Sequence, residues 1–402
     1  MKIMIAGVDG YLGWALAQHL TMRGHEVSGF DTYARRDWVA EVGSQSATPI
    51  VRMTERLAAF RREYGVNLQF RRLDIMDYNA LALFLRSVQP DAIVHLAEMP
   101  SAPYSMMDAH HAVYTQSNNV LGTLNLLFAI HEHCPNAHLV KLGTMGEYGT
   151  PNIDIPEGFF EIEYRGRKAT LPFPRQAGSW YHQSKVHDSH NVAFACKIWG
   201  LRSTDIMQGV VFGTRIENQP EDERLLTRFD FDQSFGTAIN RYCAQAVIGE
   251  PLSVFGAGGQ SRGFLPLKDS MQCISCIIEN PAQKGEYRVL NQFDKVFDVT
   301  ELAEKVQQIG KCVGLKVEVN HIENPRMEAE SHYYNPDREG LLRLGYKPTE
   351  DIDSEIENML EDLMQYRERI EARAEALIPD IRWDGTIRKS EVIQPKTVTS
   401  AK

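Results

Sequence analysis

Lys2-Ile3-Met4-Ile5-Ala6-Gly7-Val8-Asp9-Gly10-Tyr11-Leu12-Gly13 opens the chain with a short apolar run and then three glycines spaced by two residues each. The apolar run predicts a buried strand. Gly-x-x-Gly-x-x-Gly ahead of a helical pattern lets backbone N–H groups approach a pyrophosphate at the helix N-terminus. Gly7, Asp9, Gly10, Tyr11, Leu12 and Gly13 are therefore candidate dinucleotide contacts. Asp31 closes the next apolar run, where a carboxylate accepts the hydroxyls of an adenosine ribose and repels a 2′-phosphate. That favours NAD over NADP, while Arg35 and Arg36 would attract the same phosphate.

Outward from this turn, apolar runs at residues 2–6, 26–30, 68–73, 92–96, 138–142 and 204–211 alternate with helical patterns at 12–23, 53–64, 78–88, 118–134 and 179–199. The alternation predicts an α/β, doubly wound parallel sheet over residues 1–212, with a smaller C-terminal α/β substrate lobe over 213–385 and a flexible tail over 386–402. On such a sheet Asp74 and Ile75, after the third strand, reach the adenine; Asp74 is equally suited to cap the next helix. Leu96 and Ala97, with Glu98 after them, follow the fourth strand and line the middle of the cofactor. Two insertions break the rhythm, near 35–64 and 150–177, and either would serve as a substrate wall or a surface decoration. The second reads as a hairpin about Arg165-Gly166-Arg167, and residues 351–376 read as one long charged helix.

A net charge of −10 excludes a basic field for nucleic acid or anionic membrane. The first strand begins at once, leaving no room for a signal peptide, and no apolar run approaches membrane-spanning length, so a cytoplasmic protein is expected. The six cysteines lack a framework of spacings. Cys273 and Cys276 form the one close pair, inside an apolar helical pattern that suits a core better than a metal, and no metal site is expected.

Tyr181-His182-Gln183-Ser184-Lys185 places a phenol and an ammonium one helical turn apart, so that the cation can lower the phenol's pKa and make it a base. Thr144 stands upstream, in Gly143-Thr144-Met145-Gly146-Glu147-Tyr148 after the fifth strand. The three elements, in this order, resemble the extended short-chain dehydrogenase/reductases that modify nucleotide sugars on a Rossmann fold.

That resemblance implies that NAD oxidises a sugar hydroxyl, usually at C4. Tyr181 would take the proton, Lys185 would support the phenolate and hold the nicotinamide ribose, and Thr144 would bond the reacting hydroxyl. Asn118, Gln208 and Val211 join the implied cofactor contacts. Asn119, Arg228, Thr237, Gln260, Arg262 and Arg326 are the implied nucleotide-sugar contacts, with a surface ion pair an equal role for Arg228. Ser101-Ala102-Pro103-Tyr104-Ser105-Met106, the Thr144 run through Asn152, Tyr181 through His190 and Glu328 through Asn335 resemble the branch that forms UDP-sulfoquinovose from UDP-glucose and sulfite. The likeness extends from residue 1 to about residue 385. Met145, Glu147 and His182 then belong to the floor of the site, with Glu147 or His182 handling protons at C5 and C6. In 4,6-dehydratases the Thr is followed by Asp-Glu, whereas Met145-Gly146 stands here.

The chain departs from the branch at Glu98-Met99-Pro100, where the branch has Glu-Gln-Arg. Arg262, Arg241 or Arg175 would then hold the sulfite; otherwise the chain is a relative that keeps C4 redox chemistry with another outcome, such as epimerisation. Intact Thr144, Tyr181 and Lys185 argue against a scaffold that has lost catalysis. The resemblance also implies a homodimer packed through helices 118–134 and 179–199.

Overall fold

Ile3, Met4, Ile5 and Ala6 are wholly buried, as in a parallel strand covered on both faces. The computed structural model describes residues 1–349 and 351–394. Its strands in chain order are β1 (Lys2–Ala6), β2 (Glu26–Asp31), β3 (Gln69–Arg72), β4 (Ala92–His95), β5 (His138–Leu142), β6 (Phe159–Tyr164), β7 (Arg167–Pro172), β8 (Arg202–Gln208), β9 (Val210–Phe212), β10 (Leu252–Phe255), β11 (Ser261–Pro266), β12 (Tyr287–Gln292), β13 (Lys295–Asp298) and β14 (Val319–Ile322). Seven of them form one parallel sheet in the order β12-β8-β5-β4-β1-β2-β3. The order reverses between β1 and β4, which opens a crevice at the carboxyl ends of the strands. Thr144, at the end of β5, and the glycine turn after β1 both face that crevice.

A second body of structure stands over the crevice. β9, β11 and β13 form one small sheet, and β10 pairs with β14. Helices Ala238–Ile248, Val299–Cys312 and Ile352–Met364 pack there around Tyr242, Leu302, Val306, Ile356 and Met359. Among the described residues no helix is long and apolar enough to cross a membrane.

Four details differ from the sequence pattern. The strand expected at 204–211 divides at Gly209, whose N–H donates to the Gln292 carbonyl (2.8 Å) while Val210 and Val211 pair with β11. The helix expected at 118–134 begins with a π-helical turn, Ser117–Leu121, in which Asn119 turns inward to bond Met99. The helix expected at 351–376 ends at Met364; a bend returns Ile370 and Leu377 to the core, and Arg369 donates to the carbonyls of Ser46 and Ala47. Residues 386–394, expected within a flexible tail, are fixed against β14: Val392 bridges Ile322, and Ile393 N–H donates to the His321 carbonyl (2.8 Å). Residues 395–402 lie outside the described residues.

Both insertions are structured. The first carries helices Ala34–Glu41 and Met53–Tyr64. The second contains the hairpin β6–β7, whose turn residues Arg165 (φ 51°) and Gly166 (φ 74°) are both left-handed, as a two-residue hairpin turn requires.

Candidate active site

At the cofactor end, Gly7 has φ 89°, and a Cβ on Gly13 would collide with the Gly7 carbonyl oxygen. Only glycine lets this turn press against the helix Tyr11–Met22 and expose its N–H groups. Asp31 accepts the N–H of Asp9 (2.9 Å) and of Tyr33 (2.7 Å). Burial and the neighbouring Asp9 charge lift its pKa to about 6, so its carboxylate has unmet demand for donors such as ribose hydroxyls. Neither arginine is free to attract a 2′-phosphate. Arg35 is bound to Asp230 (2.7 and 3.0 Å) beneath the Phe235 ring, and Arg36 forks onto Asp9 (2.7 Å twice). Arg56 closes the cluster from Asp9 to the face of Trp14. The turn and its carboxylate thus suit a dinucleotide without a 2′-phosphate.

The crevice is one cleft of about 650 Å³ running from Gly7 and Asp31 past Tyr181 to Arg326. Ser179 caps the helix Trp180–Trp199 by accepting the His182 N–H (3.2 Å), and the Tyr181 N–H donates to Ser105 Oγ (3.0 Å); together they fix where the phenol enters. Lys185 Nζ donates to the Leu142 carbonyl (2.6 Å), ion-pairs with Glu98, and stands 5.9 Å from the Tyr181 ring centroid. Burial lowers the lysine's pKa and raises the phenol's, the latter helped by Glu147 and Asp188. Thr144 Oγ1 accepts the Gly146 N–H (3.1 Å), while Glu147 accepts the Thr144 N–H (3.2 Å), a reciprocal cap that holds the threonine at the cleft.

His182 fills the space beside this turn. A Cβ on Gly146 would strike its imidazole, so glycine at 146 is the condition for the ring to sit there. Nδ1 contacts Ser179 Oγ (3.0 Å), leaving the Nε2 edge against Gly146. Burial, with Arg326 and Arg262 nearby, lowers the ring's pKa to about 3 and keeps it neutral at physiological pH.

Of the residues singled out from the sequence, Gly7, Gly10, Tyr11, Leu12, Gly13, Asp31, Asp74, Ile75, Leu96, Ala97, Asn118, Gln208 and Val211 line the cofactor part of the cleft. Thr144, Met145, Tyr181, His182, Lys185, Thr237, Gln260, Arg262 and Arg326 line the remainder. Asp9, Asn119, Glu147 and Arg228 stand behind the wall. Asp9 is consumed by Arg36 and Arg56; Asn119 bonds both the N–H and the carbonyl of Met99 and the hydroxyl of Ser184. Arg228 is buried on Asp230 (2.9 Å), not on the surface. Glu147 is wholly buried, paired with Lys141 (3.4 Å) and Arg175 and bonded by Ser189 (2.9 Å). Arg175 is thereby turned from the cleft, while Arg241 and Arg262 face it. The structure adds Trp38, Phe235, Gln233, Phe255 and Trp383 to the cleft wall. Trp38 and Phe235, from segments almost 200 residues apart, stack at 6.4 Å, a contact with no signal in local sequence.

A model of the NAD dependent epimerase/dehydratase family matches residues 3–291. The chain is 47% identical over 397 residues to the chloroplastic UDP-sulfoquinovose synthase of Spinacia oleracea, covering 99% of this chain and 81% of that protein. It is likewise 47% identical over 384 residues to the UDP-sulfoquinovose synthase of Sulfolobus acidocaldarius, covering 95% and 98%. Among solved structures, the UDP-glucuronic acid 4-epimerase of Bacillus cereus, in complex with UDP-glucuronic acid and NAD, shares the fold at a TM-score of 0.68. Its identity is 20%, covering 91% of this chain and 99% of that one.

Proposed function

The chain belongs to the NAD dependent epimerase/dehydratase family, and from that premise we propose that it converts UDP-glucose and sulfite into UDP-sulfoquinovose through oxidation at C4. The observation that carries the reading is the pairing of Thr144, Tyr181 and Lys185 with a neutral His182 that occupies the space over Gly146, in a chain 47% identical along almost its whole length to two such synthases. In the division of labour we propose, residues 1–212 hold NAD and 213–385 mainly the sugar nucleotide.

NAD would be held by Gly7, Gly10, Gly13, Asp31 and Lys185, and would supply the hydride acceptor for C4 oxidation and the donor for the closing reduction. Tyr181 takes the O4 proton, Thr144 Oγ1 holds the same oxygen, and Lys185 supplies the cation that makes a phenolate affordable. The 4-keto group acidifies C5–H; loss of that proton and of the C6 hydroxyl, together one water, leaves a C5–C6 double bond. The sulfur lone pair of sulfite forms a C–S bond at C6, and C5 takes a proton back. We assign the C5 and C6 protons to His182. Glu147 is paired behind the wall, and Met145 and Gly146 do not titrate. A neutral imidazole accepts the C5 proton and passes it to the departing C6 hydroxyl, which leaves as water; hydrogensulfite brings in the proton that C5 takes as the C–S bond forms. Pro100 lines the cleft without a donor, Arg262 is committed to Glu328, and the anion falls to Arg241.

Mass spectrometry of UDP-glucose incubated with the protein and NAD, with and without sulfite, tests the reading. A sulfite-dependent UDP-sulfoquinovose mass is expected. A UDP-hexose of unchanged mass with inverted C4, whatever the sulfite, would replace it with epimerisation, the outcome that Pro100 favours.

A homodimer completes the proposal. Val113, Leu121, Phe128, Phe194 and Ile198 lie exposed on and beside helices Ala109–Gln116, Gly122–His133 and Trp180–Trp199, with Phe194 61% exposed. Such an apolar patch on packed helices suits burial against a second copy. Phe194→Glu is expected to weaken the dimer by at least about 100-fold, because a carboxylate would be buried unpaired. Sedimentation velocity at micromolar concentration reads this, and an unchanged dimer would place the interface elsewhere.

A further inference from the structure

Residues 378–394 cross the far end of the cleft as a strap. On one side Trp383 N–H donates to the Pro325 carbonyl (2.9 Å), Glu323 N–H to the Glu391 carbonyl (2.8 Å), and Arg382 and Arg388 pair with the Glu323 carboxylate. On the other side Gln233 Oε1 accepts the N–H groups of Asp380 (2.9 Å) and Ile381 (3.1 Å), and its Nε2 donates to the Asp380 carboxylate (2.6 Å). Gln233 and Arg326, both lining the cleft, are thus reached by one segment. Trp383 sits in its turn, half-buried and facing Gly178, where an added Cβ would lie 3.9 Å from the indole.

Three arginines line this end of the cleft. Arg241 donates to Ser253 (3.3 Å) and Arg262 to Glu328 (2.7 Å). Arg326 differs: among the described residues its guanidinium makes no hydrogen bond or ion pair. The Glu328 charge acts on it through space, and its nearest faces are aromatic, 5.6 Å from the Trp383 centroid and 6.0 Å from that of Phe255. A carboxylate partner would occupy the N–H fork that an anion needs. A ring face restrains the same cation and leaves every donor free.

We propose that Trp383 is a positioning residue of the nucleotide-sugar subsite: its ring holds Arg326 ready for the diphosphate, and the C-terminal strap brings that ring to the cleft. The inference rests on the reading of the substrate as a UDP-sugar. It assigns Trp383 to affinity for the diphosphate, not to the chemistry at C4, and the cofactor end lies outside its reach.

Calorimetric titration of the full-length protein with UDP, uridine and NAD separates the possibilities without turnover. Trp383→Leu is expected to raise the UDP dissociation constant about tenfold, equivalent to about 1.4 kcal/mol, while Trp383→Phe, which keeps a ring, stays within about threefold. Uridine, lacking phosphate, should bind all three proteins alike. NAD affinity should not change, which also reports that each variant is folded. Wild-type UDP affinity in Trp383→Leu, or an equal loss for uridine and UDP, overturns the inference and leaves the proposed function standing. Failure of the parent protein to bind UDP overturns both.

Discussion

Tyr181→Phe is expected to lower kcat by about 10³-fold while the dissociation constants for NAD and UDP-glucose stay within about threefold. The variant removes one oxygen and leaves the ring, whose backbone is pinned by Ser105 and by the cap at Ser179. What disappears is the phenol oxygen on the cleft wall beside Lys185; the other titratable oxygens there belong to Glu98, which is already paired with that lysine. Burial drives the phenol's pKa up, and Glu147 and Asp188 push in the same direction. Arg35 draws it back down, while Lys185, 5.9 Å from the ring centroid, is itself lowered by burial and tied to the Leu142 carbonyl and Glu98. In the mechanism proposed above the phenolate is the working form, so the rate should rise with pH in the parent protein and lose that dependence in the variant. Single-turnover absorbance of the reduced nicotinamide is the direct measurement. A variant within tenfold of the parent would move the base elsewhere in the cleft.

How much of this site was legible beforehand depends on the range of the interaction that makes it. Gly7, Gly10 and Gly13 are read from spacing because their constraint is local: a backbone turn that must touch a helix and a phosphate. Thr144, Tyr181 and Lys185 are similarly local, one after a strand and two on one helical turn. The effect of Arg35 and Arg36 was not legible. Either would welcome a 2′-phosphate, and only tertiary structure supplies Asp230 and Asp9 to occupy them. Glu147 was open for a related reason, since a carboxylate three residues from Thr144 reads as an acid whichever way it faces. The clue lay in Lys141, a lysine in the middle of a buried strand that demands a carboxylate within reach. Trp383 carried no local sign. It reaches the cleft because residues 386–394, polar enough to resemble a loose end, complete the open edge of β14.

Lys141→Met is expected to destabilise the protein by about 3–5 kcal/mol, read as a lowered midpoint in urea or heat. The ammonium is wholly buried between Glu147 (3.4 Å) and Asp205 (3.3 Å), and it also donates to Ser189 (2.9 Å) and the Lys185 carbonyl (3.2 Å). Burial alone would lower its pKa, but Asp205 and Glu147 together outweigh that and raise it above the ordinary lysine value. A raised folded-state value means stability that is present below the unfolded lysine's pKa and lost as pH climbs through the folded one; the contribution is therefore complete at neutral pH. Methionine matches the stem but leaves Asp205 with only the hydroxyls of Ser189 and Tyr287, and Glu147 with Arg175, the Ser189 hydroxyl and the Thr144 N–H. Because Glu147 also holds the Thr144 N–H, activity should fall with stability, through a threonine no longer held at the cleft. The double variant Lys141→Met/Asp205→Asn separates charge from packing. Removing the stranded anion should restore at least half of the lost stability, since the cost of a broken buried pair is mostly the charge left behind. A single variant within about 1 kcal/mol of the parent would mean that water or rearrangement already screens the network, and that Glu147 is free to take the proton-handling role denied to it here.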